Sequence, residues 1–184
     1  MPDNQPPLAL PKTNCLIRPF APTSAEAASL STEANNPLIA KYMRNAFPHP
    51  YTAQDASNWI TYTNSQNPRY DFAICSAATD TVIGAIGLKP RTDIHHRTLE
   101  LGYWVGEGHW GRGIATEAVA VFVRWVFERF GQVVRLEAEV FDGNEGSRRV
   151  LEKNRFVCEG RRRRAVEKEG VMLDVFGYAL LREM

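Results

Sequence analysis

The spacing of apolar and polar residues changes several times along this 184-residue chain. Apolar residues recur at helical spacing over residues 114–130, and Gly131 provides a C-terminal stop. Thr52 followed by Asp55 is typical of a helix N-terminus and predicts a helix that continues to about residue 65. Shorter helices are predicted at 23–35, 37–43 and 144–153. Runs of apolar or alternating residues predict strands at 15–20, 70–76, 82–88, 97–105, 133–140, 156–163 and 171–180.

This order of elements predicts a mixed α/β fold. Residues 1–13 contain four of the eleven prolines, and we expect them to form a flexible arm. Neither an internal repeat nor a linker interrupts the remaining chain. Residues 14–184 are therefore expected to form a single domain.

The composition narrows the class of protein. Apolar residues make up 44% and charged residues 23%, which indicates a globular rather than a disordered chain. A net charge of +1 argues against a nucleic-acid partner. The cysteines, Cys15, Cys75 and Cys158, are few and widely spaced, which favours a reducing compartment over a disulfide or zinc framework. The sequence has neither a signal-peptide pattern nor an apolar run of about 18 residues, so we expect a cytoplasmic protein without a membrane partner.

A glycine-rich segment, residues 106–113, separates the strand at 97–105 from the helix at 114–130. Backbone N–H groups at the start of a helix lack helical partners, and the helix dipole favours an anion there. Gly111 and Gly113 would allow a phosphate to approach the backbone closely. An ordinary glycine-containing turn is the alternative. No Gly-Lys-Ser/Thr follows, and the spacing is not Gly-x-Gly-x-x-Gly, so neither nucleotide motif applies.

The sequence from Trp110 to Ala118, WGRGIATEA, resembles the acetyl-coenzyme A (acetyl-CoA) pyrophosphate loop of the GNAT N-acetyltransferase superfamily. That family's pattern, Gln/Arg-x-x-Gly-x-Gly/Ala, is matched at Gly113 and Ala115, with Trp110 in place of the usual Gln or Arg. Segments 50–60, 100–104 and 144–153 resemble, in the same order, parts of the branch containing the ribosomal-protein N-terminal (alanine) acetyltransferases. The resemblance covers about residues 14–181. It implies the GNAT acyltransferase fold, with a mostly antiparallel central sheet of about seven strands and about four helices.

The resemblance implies transfer of an acetyl group from acetyl-CoA to a primary amine, by direct attack of the amine on the thioester. Acetyl-CoA would be the acyl-donor cosubstrate, and no metal is expected. The acceptor would be a protein or peptide N-terminal amine, or alternatively a small-molecule amine. A third alternative is a catalytically inactive CoA-binding module of the same fold. It is kept because Leu151, which cannot donate a proton to the departing thiolate, stands where many members have a Tyr. The oligomeric state, monomer or homodimer, is also left open.

The resemblance also implies the roles of individual residues. Glu100 is the leading candidate for the base, acting directly or through a water, although strand alternation could instead leave it solvated. Glu107 and His109 are weaker candidates. Ser147 would hydrogen-bond the coenzyme sulfur, or it would simply satisfy backbone groups at the start of a helix. Asn144 would meet the pantetheine arm, cap a helix, or do both. The predicted coenzyme-binding residues are Tyr103, Trp104, Val105, Trp110, Gly111, Arg112, Gly113, Ile114, Ala115, Thr116, Asn144 and Ser147.

The backbone of residues 103–105 would polarise the thioester carbonyl, in a strand that the family splays apart from the next. Gly102 is the expected place for a local distortion.

Two further features have competing interpretations. In one interpretation, the four arginines at 161–164 lie on a solvent-exposed edge strand, with two on each face. In the other, they recognise an acidic acceptor or a phosphate. His95 and His96 would face opposite sides of a strand, so they do not predict a metal site.

Overall fold

A computed structural model describes residues 7–183. Within that range the chain forms eight β-strands and five α-helices. The five helices agree in number with the pattern of apolar residues and exceed by one the number that the resemblance implies, and one strand was not predicted. The strands are β1 (Leu8–Leu10), β2 (Cys15–Arg18), β3 (Asp71–Ser76), β4 (Val82–Pro90), β5 (Thr98–Val105), β6 (Arg135–Phe141), β7 (Val157–Lys168) and β8 (Val171–Leu181). The helices are α1 (Ser24–Ala34), α2 (Pro37–Ala40), α3 (Ala53–Ser65), α4 (Ile114–Arg129) and α5 (Glu145–Lys153). The predicted mixed α/β class is confirmed.

The chain divides into two compact units. The first unit contains Met1–Gly87 and Tyr103–Ala118, and the second contains Leu88–Gly102 and Val119–Met184. The expected single domain over residues 14–184 stays a prediction.

In the first unit, β1 to β4 lie side by side in chain order, and each pair is antiparallel. The strand β1 corrects the expectation of a flexible arm over residues 1–13. Leu8 to Leu10 pair with Cys15 to Ile17, and Leu10 is fully buried. The turn that follows is held by Glu117, which accepts hydrogen bonds from the Lys12 N–H at 2.9 Å and the Thr13 hydroxyl at 2.6 Å. Residues 1–6 of the predicted arm lie outside the described range.

The helices of the first unit begin where the sequence places capping residues. Thr23 caps α1, and Thr52 forms a reciprocal capping box with Asp55 at the start of α3. Both helices bury apolar residues in a cluster that includes Leu30, Ile60 and Ala73. The cluster also includes residues of β3 and β4, so one face of these strands packs against the two helices.

In the second unit the strand order is β5, β6, β8, β7. The β5–β6 pair is parallel, whereas β6–β8 and β7–β8 are antiparallel. Strand β7 is therefore an edge strand, and most of its residues are exposed. Its register is irregular between Arg162 and Val166, where Arg164 adopts a φ of 50°. Asn144 caps α5 by accepting a hydrogen bond from the Ser147 N–H at 3.1 Å.

Candidate active site

The segment between β5 and α4 is a short, tightly folded loop in the first unit. A 3-10 turn at Glu107–His109 follows β5, and α4 begins at Ile114. Gly111 and Gly113 have φ values of 74° and 78°, which side chains disfavour. A Cβ added at either glycine would have no atom within 4 Å. These glycines therefore present open backbone at the start of a helix.

The start of α4 has the features of an anion site. The Glu117 N–H donates a hydrogen bond to the Gly113 carbonyl at 3.0 Å, and this bond is at the N-terminal end of the hydrogen-bond series of α4. The N–H groups of Ile114 and Ala115 precede that bond, at the positive end of the helix dipole. Arg112 is exposed beside them. Open glycine backbone and helical N–H groups together fit a phosphate or pyrophosphate.

Side chains on both sides of the loop hold it in place. The indole Nε1–H of Trp110 donates to the Val105 carbonyl at 2.6 Å, although the Trp110 side chain is otherwise half-exposed. The Asn36 amide donates to the Glu107 carboxylate at 2.6 Å. Glu107, a weaker candidate for the base, thus has a structural partner at the junction of α1 and α2.

His109, the other weaker candidate, lies 3.5 Å from Glu33 on α1, measured from Nε2 to Oε1. The neighbouring Gly106 donates its N–H to the Ile83 carbonyl at 2.8 Å. A Cβ at Gly106 would lie 1.8 Å from Glu33 Oε2, so a larger residue there would displace the carboxylate. The C-terminal turn of α1 therefore braces the loop. This support depends on residues distant in sequence, and no local pattern in the sequence indicates it.

The last residues of β5 combine half-buried aromatic side chains with backbone outside the β6 ladder. Pairing of β5 with β6 covers Thr98, Leu99 and Glu100 only, although β5 continues to Val105. Tyr103 and Trp104 are half-buried, and the Trp104 ring packs edge-on against Phe47 with ring centroids 5.9 Å apart. The limited β5–β6 pairing agrees with the separation of strands that the family resemblance implies.

Glu100 is buried in the second unit, with 8% of its surface exposed. The alternative that leaves Glu100 solvated is therefore wrong. Alternation fails because Thr98, Leu99, Glu100 and Leu101 are all buried, which requires both faces of this part of β5 to be covered. The Arg91 guanidinium lies 3.1 Å from the Glu100 carboxylate and 3.5 Å from that of Glu137. Sequence reasoning missed Arg91, because the contact joins two separate elements.

Asn144 and Ser147 lie half-buried at the start of α5, also in the second unit. The capping interpretation of Asn144 is confirmed by its hydrogen bond to the Ser147 N–H. Leu151, which stands where many family members have a Tyr, is fully buried. The hydroxyl of Ser147 is the candidate donor that the start of α5 offers to a departing sulfur.

The predicted site residues are distributed between the two compact units. The first unit brings together Tyr103, Trp104, Val105, Trp110, Gly111, Arg112, Gly113, Ile114, Ala115 and Thr116. The second unit contains Glu100, Asn144 and Ser147.

The four arginines at 161–164 are all exposed on the edge strand β7. Arg161 pairs with Asp174 at 2.6 Å, and Arg162 pairs with Glu139. Asp174 also accepts a hydrogen bond from the Arg164 N–H at 2.7 Å. This N–H and the Arg161 guanidinium hold the pKa of Asp174 below its usual value. The first two arginines are thus neutralised by carboxylates of the chain itself.

His95 and His96 do not lie in a strand, so the reason given for their facing apart is wrong. His95 ends a 3-10 turn at Asp93–His95, and His96 follows it. Within residues 7–183 no group of three or more His, Cys, Asp or Glu side chains is arranged to hold a metal ion. No helix in the same range has the length and apolar character needed to cross a membrane.

Comparison with known proteins defines the class of this chain. A family model described as an acetyltransferase (GNAT) domain matches residues 14–157. The chain is 32% identical over 161 residues to the probable N-acetyltransferase YjcK of Bacillus subtilis (strain 168), with 86% of this chain and 88% of that protein covered. The chain therefore belongs to the GNAT acetyltransferase family, and the predicted enzyme class, an acetyl-CoA-dependent N-acetyltransferase, is confirmed.

Two solved structures resemble this chain in fold. RimJ of Mycobacterium smegmatis, in complex with CoA-disulfide, superposes with a TM-score of 0.80 and 25% identity, covering 98% of this chain and 88% of that one. RimL, a ribosomal L7/L12 α-N-protein acetyltransferase in complex with coenzyme A, gives a TM-score of 0.81 and 17% identity, with 96% and 98% covered. The GNAT fold and the resemblance to the ribosomal-protein branch are thus confirmed.

Proposed function

We propose that this protein acetylates the N-terminal α-amine of a protein or peptide, using acetyl-CoA as donor. The observation that carries the proposal is the loop at residues 110–116, with open backbone at Gly111 and Gly113 leading into the N-terminus of α4. Its structural neighbours include RimL, which is a ribosomal L7/L12 α-N-protein acetyltransferase. Coenzyme A is bound in two of these related structures.

The loop is proposed to hold the coenzyme pyrophosphate through its backbone. N–H groups of residues 112–116 donate to the phosphate oxygens, and the side chains of Trp110 and Asn36 keep the loop in this shape. Donors of this kind need no reorganisation when the anion arrives. A chain with a net charge of +1 is therefore sufficient for a coenzyme that carries several phosphates.

The chemical step that we propose breaks the thioester C–S bond and forms an amide bond. The amine nitrogen attacks the thioester carbonyl carbon while a backbone N–H of residues 103–105 donates to the carbonyl oxygen as negative charge develops. Glu100 takes the proton of the amine, directly or through a water. The sulfur leaves as a thiolate, to which the Ser147 hydroxyl donates a hydrogen bond. Arg91, 3.1 Å away, holds the Glu100 carboxylate in position.

The acceptor class follows in part from proton affinity. The pKa of an α-amino group is typically about 8, whereas that of an alkyl amine is about 10. A carboxylate base therefore needs less assistance with an N-terminal amine. A small-molecule amine is the second candidate acceptor, and the same chemistry serves it. We also propose a cytoplasmic location, since Cys15, Cys75 and Cys158 are all free thiols.

An acceptor screen tests the proposal. Calorimetry first measures acetyl-CoA binding to the wild-type protein. Free thiol release is then followed with peptides that begin with Ala or Ser, with matched N-acetylated peptides and with small amines. Turnover that requires a free N-terminus supports the proposal. Turnover with small amines alone assigns the second acceptor class. Coenzyme binding without thiol release from any amine would identify a catalytically inactive binding module instead.

A further inference from the structure

Tyr178, which the proposed reaction does not use, is a buried residue of the second unit, with 1% of its surface exposed. It lies on β8, and its hydroxyl contacts two residues of α5. The hydroxyl donates a hydrogen bond to Glu152 Oε1 at 3.0 Å and accepts one from Arg148 Nε at 3.1 Å. A phenolic hydroxyl has one proton to donate, so this arrangement uses its donor and its acceptor capacity together. Tyr178 therefore bridges one turn of α5 from β8.

A second side chain of β8 holds the same face of α5. Phe176 and Tyr178 are two residues apart in the strand, so both side chains project from one side of it. The Arg148 guanidinium lies over the Phe176 ring, 4.5 Å from the ring centroid, and it also pairs with Glu145 at 3.0 Å. Residues three and four positions apart are neighbours on a helix surface, so Glu145, Arg148 and Glu152 follow one another along one face of α5. Two side chains of β8 thus hold this face through Arg148 and Glu152.

The rotation of α5 about its axis decides where the Ser147 hydroxyl points. Ser147 directly precedes Arg148, and its N–H donates a hydrogen bond to Asn144 at 3.1 Å. Helical Cα atoms lie about 2.3 Å from the helix axis, which places a seryl oxygen at roughly 4 Å. A rotation of about 15° therefore moves that oxygen by about 1 Å, enough to lose a well-formed hydrogen bond. The buried Leu151 adds apolar packing, which is not directional, whereas the hydrogen bonds of Tyr178 are.

We propose that Tyr178 is a positioning residue of the acetyl transfer, whose hydroxyl sets the rotation of α5 and thereby the direction of the Ser147 hydroxyl. The inference rests on the proposed function, in which Ser147 donates a hydrogen bond to the departing sulfur. Tyr178 acts only through α5, so it contacts no substrate and transfers no proton. Leu151 offers no hydroxyl where many family members have a Tyr, and the reaction therefore depends on how Ser147 is directed.

A double-mutant cycle tests this assignment. It compares the wild type, Tyr178→Phe, Ser147→Ala and the double variant, each loaded with acetyl-CoA and mixed with a saturating peptide that begins with Ala or Ser. The rate of a single turnover is measured, so that product release does not limit it. Tyr62→Phe is the matched control, because it removes the same hydroxyl from an exposed residue of α3. Calorimetry with coenzyme A measures the affinity and the active fraction of each variant.

The expected effects on the rate are not additive. Tyr178→Phe lowers the single-turnover rate about tenfold, and Ser147→Ala lowers it about tenfold or more. The double variant stays within about twofold of Ser147→Ala, because Tyr178 acts only through the hydroxyl that this variant lacks. Tyr62→Phe keeps the wild-type rate. Coenzyme A affinity stays within about twofold of wild type in every variant, since the bridge directs a contact made to the departing sulfur.

Glu152 provides a second test outside the core. Glu152 is exposed, so its substitutions are expected to fold. Glu152→Ala removes the acceptor of the Tyr178 hydroxyl and should lower the single-turnover rate several-fold. Glu152→Gln keeps an acceptor oxygen and should restore most of the wild-type rate. Ala and Gln are both good helix formers, so the two variants of α5 differ mainly in this hydrogen bond.

Three results would overturn the assignment. The first is a Tyr178→Phe variant that reacts at the wild-type rate, as a purely structural tyrosine would allow. The second is a Ser147→Ala variant that does so. The third is a double variant slowed by the product of the two single effects, about 100-fold, because Tyr178 would then act elsewhere. Failure of the proposed function gives a different result, since the wild type would then acetylate none of these peptides, and the assignment would fall with it.

Discussion

Replacing Asp71, the half-buried first residue of β3, with Asn is expected to make the protein more stable at neutral pH, although the substitution removes a native side chain. Burial raises the pKa of Asp71 from 3.8 to about 6 in the folded protein. Between these values the folded state binds more protons than the unfolded state does. Unfolding free energy therefore decreases as the pH rises through this range. The Asn side chain is neutral at every pH, so the variant does not lose unfolding free energy through ionisation at this position.

The magnitude follows from the two pKa values. The difference between 3.8 and about 6, at about 1.4 kcal/mol for each pH unit, corresponds to about 3 kcal/mol. At pH 8 we expect Asp71→Asn to be more stable than wild type by up to about 3 kcal/mol. At pH 4, where the folded-state acid is protonated, the expected advantage falls to about 0.5 kcal/mol.

Urea denaturation of both proteins from pH 4 to pH 8 measures this difference directly. Asp93→Asn, at an exposed position, serves as the control and is expected to follow wild type at every pH. An Asp71→Asn variant that is less stable than wild type at pH 8 would contradict the reasoning, because Asp71 would then have a structural partner. A stability difference that does not grow with pH would contradict the assigned pKa.

Three further predictions concern the coenzyme loop and the proposed base. Gly113→Val should weaken acetyl-CoA binding about tenfold or more in calorimetry, since its φ of 78° disfavours a side chain, whereas Gly131→Val should not. Trp110→Phe removes the indole donor to the end of β5 and should raise the KM for acetyl-CoA about fivefold in steady-state kinetics, leaving the KM for the acceptor unchanged. Glu100→Gln should lower kcat about 100-fold in a thiol-release assay without changing acetyl-CoA affinity, whereas its parallel neighbour Glu137→Gln should retain most activity. Equal effects on both members of either pair would contradict the roles given to Gly113 and Glu100.

Elements with strong local signals were predictable from the sequence. The capping box of Thr52 and Asp55 defines the start of α3, because both residues act within one helical turn. The order of strand, glycine loop and helix around Gly113 is also local. By contrast, β1 was missed, because its stability comes from pairing with β2 rather than from its own sequence. Pro11 directly after the strand favours an irregular arm when read alone.

The candidate site was less predictable, because its important contacts are non-local. Glu100 is buried against the expectation from alternation, and its partner Arg91 comes from a different segment. Asp71 lies in a run that predicts a strand correctly, but neither its partial burial nor its position opposite Gly87 on β4 can be read from that run. Such features depend on which strands become neighbours.

The central claim is that the protein transfers an acetyl group from acetyl-CoA to an N-terminal amine. The most direct test incubates the wild-type protein with acetyl-CoA and peptides that begin with Ala or Ser, and locates the product's acetyl group by tandem mass spectrometry. The account predicts acetylation of the α-amine, with release of free coenzyme A in equal amount. Acetylation confined to lysine side chains, or coenzyme binding without any acetylated product, would contradict it.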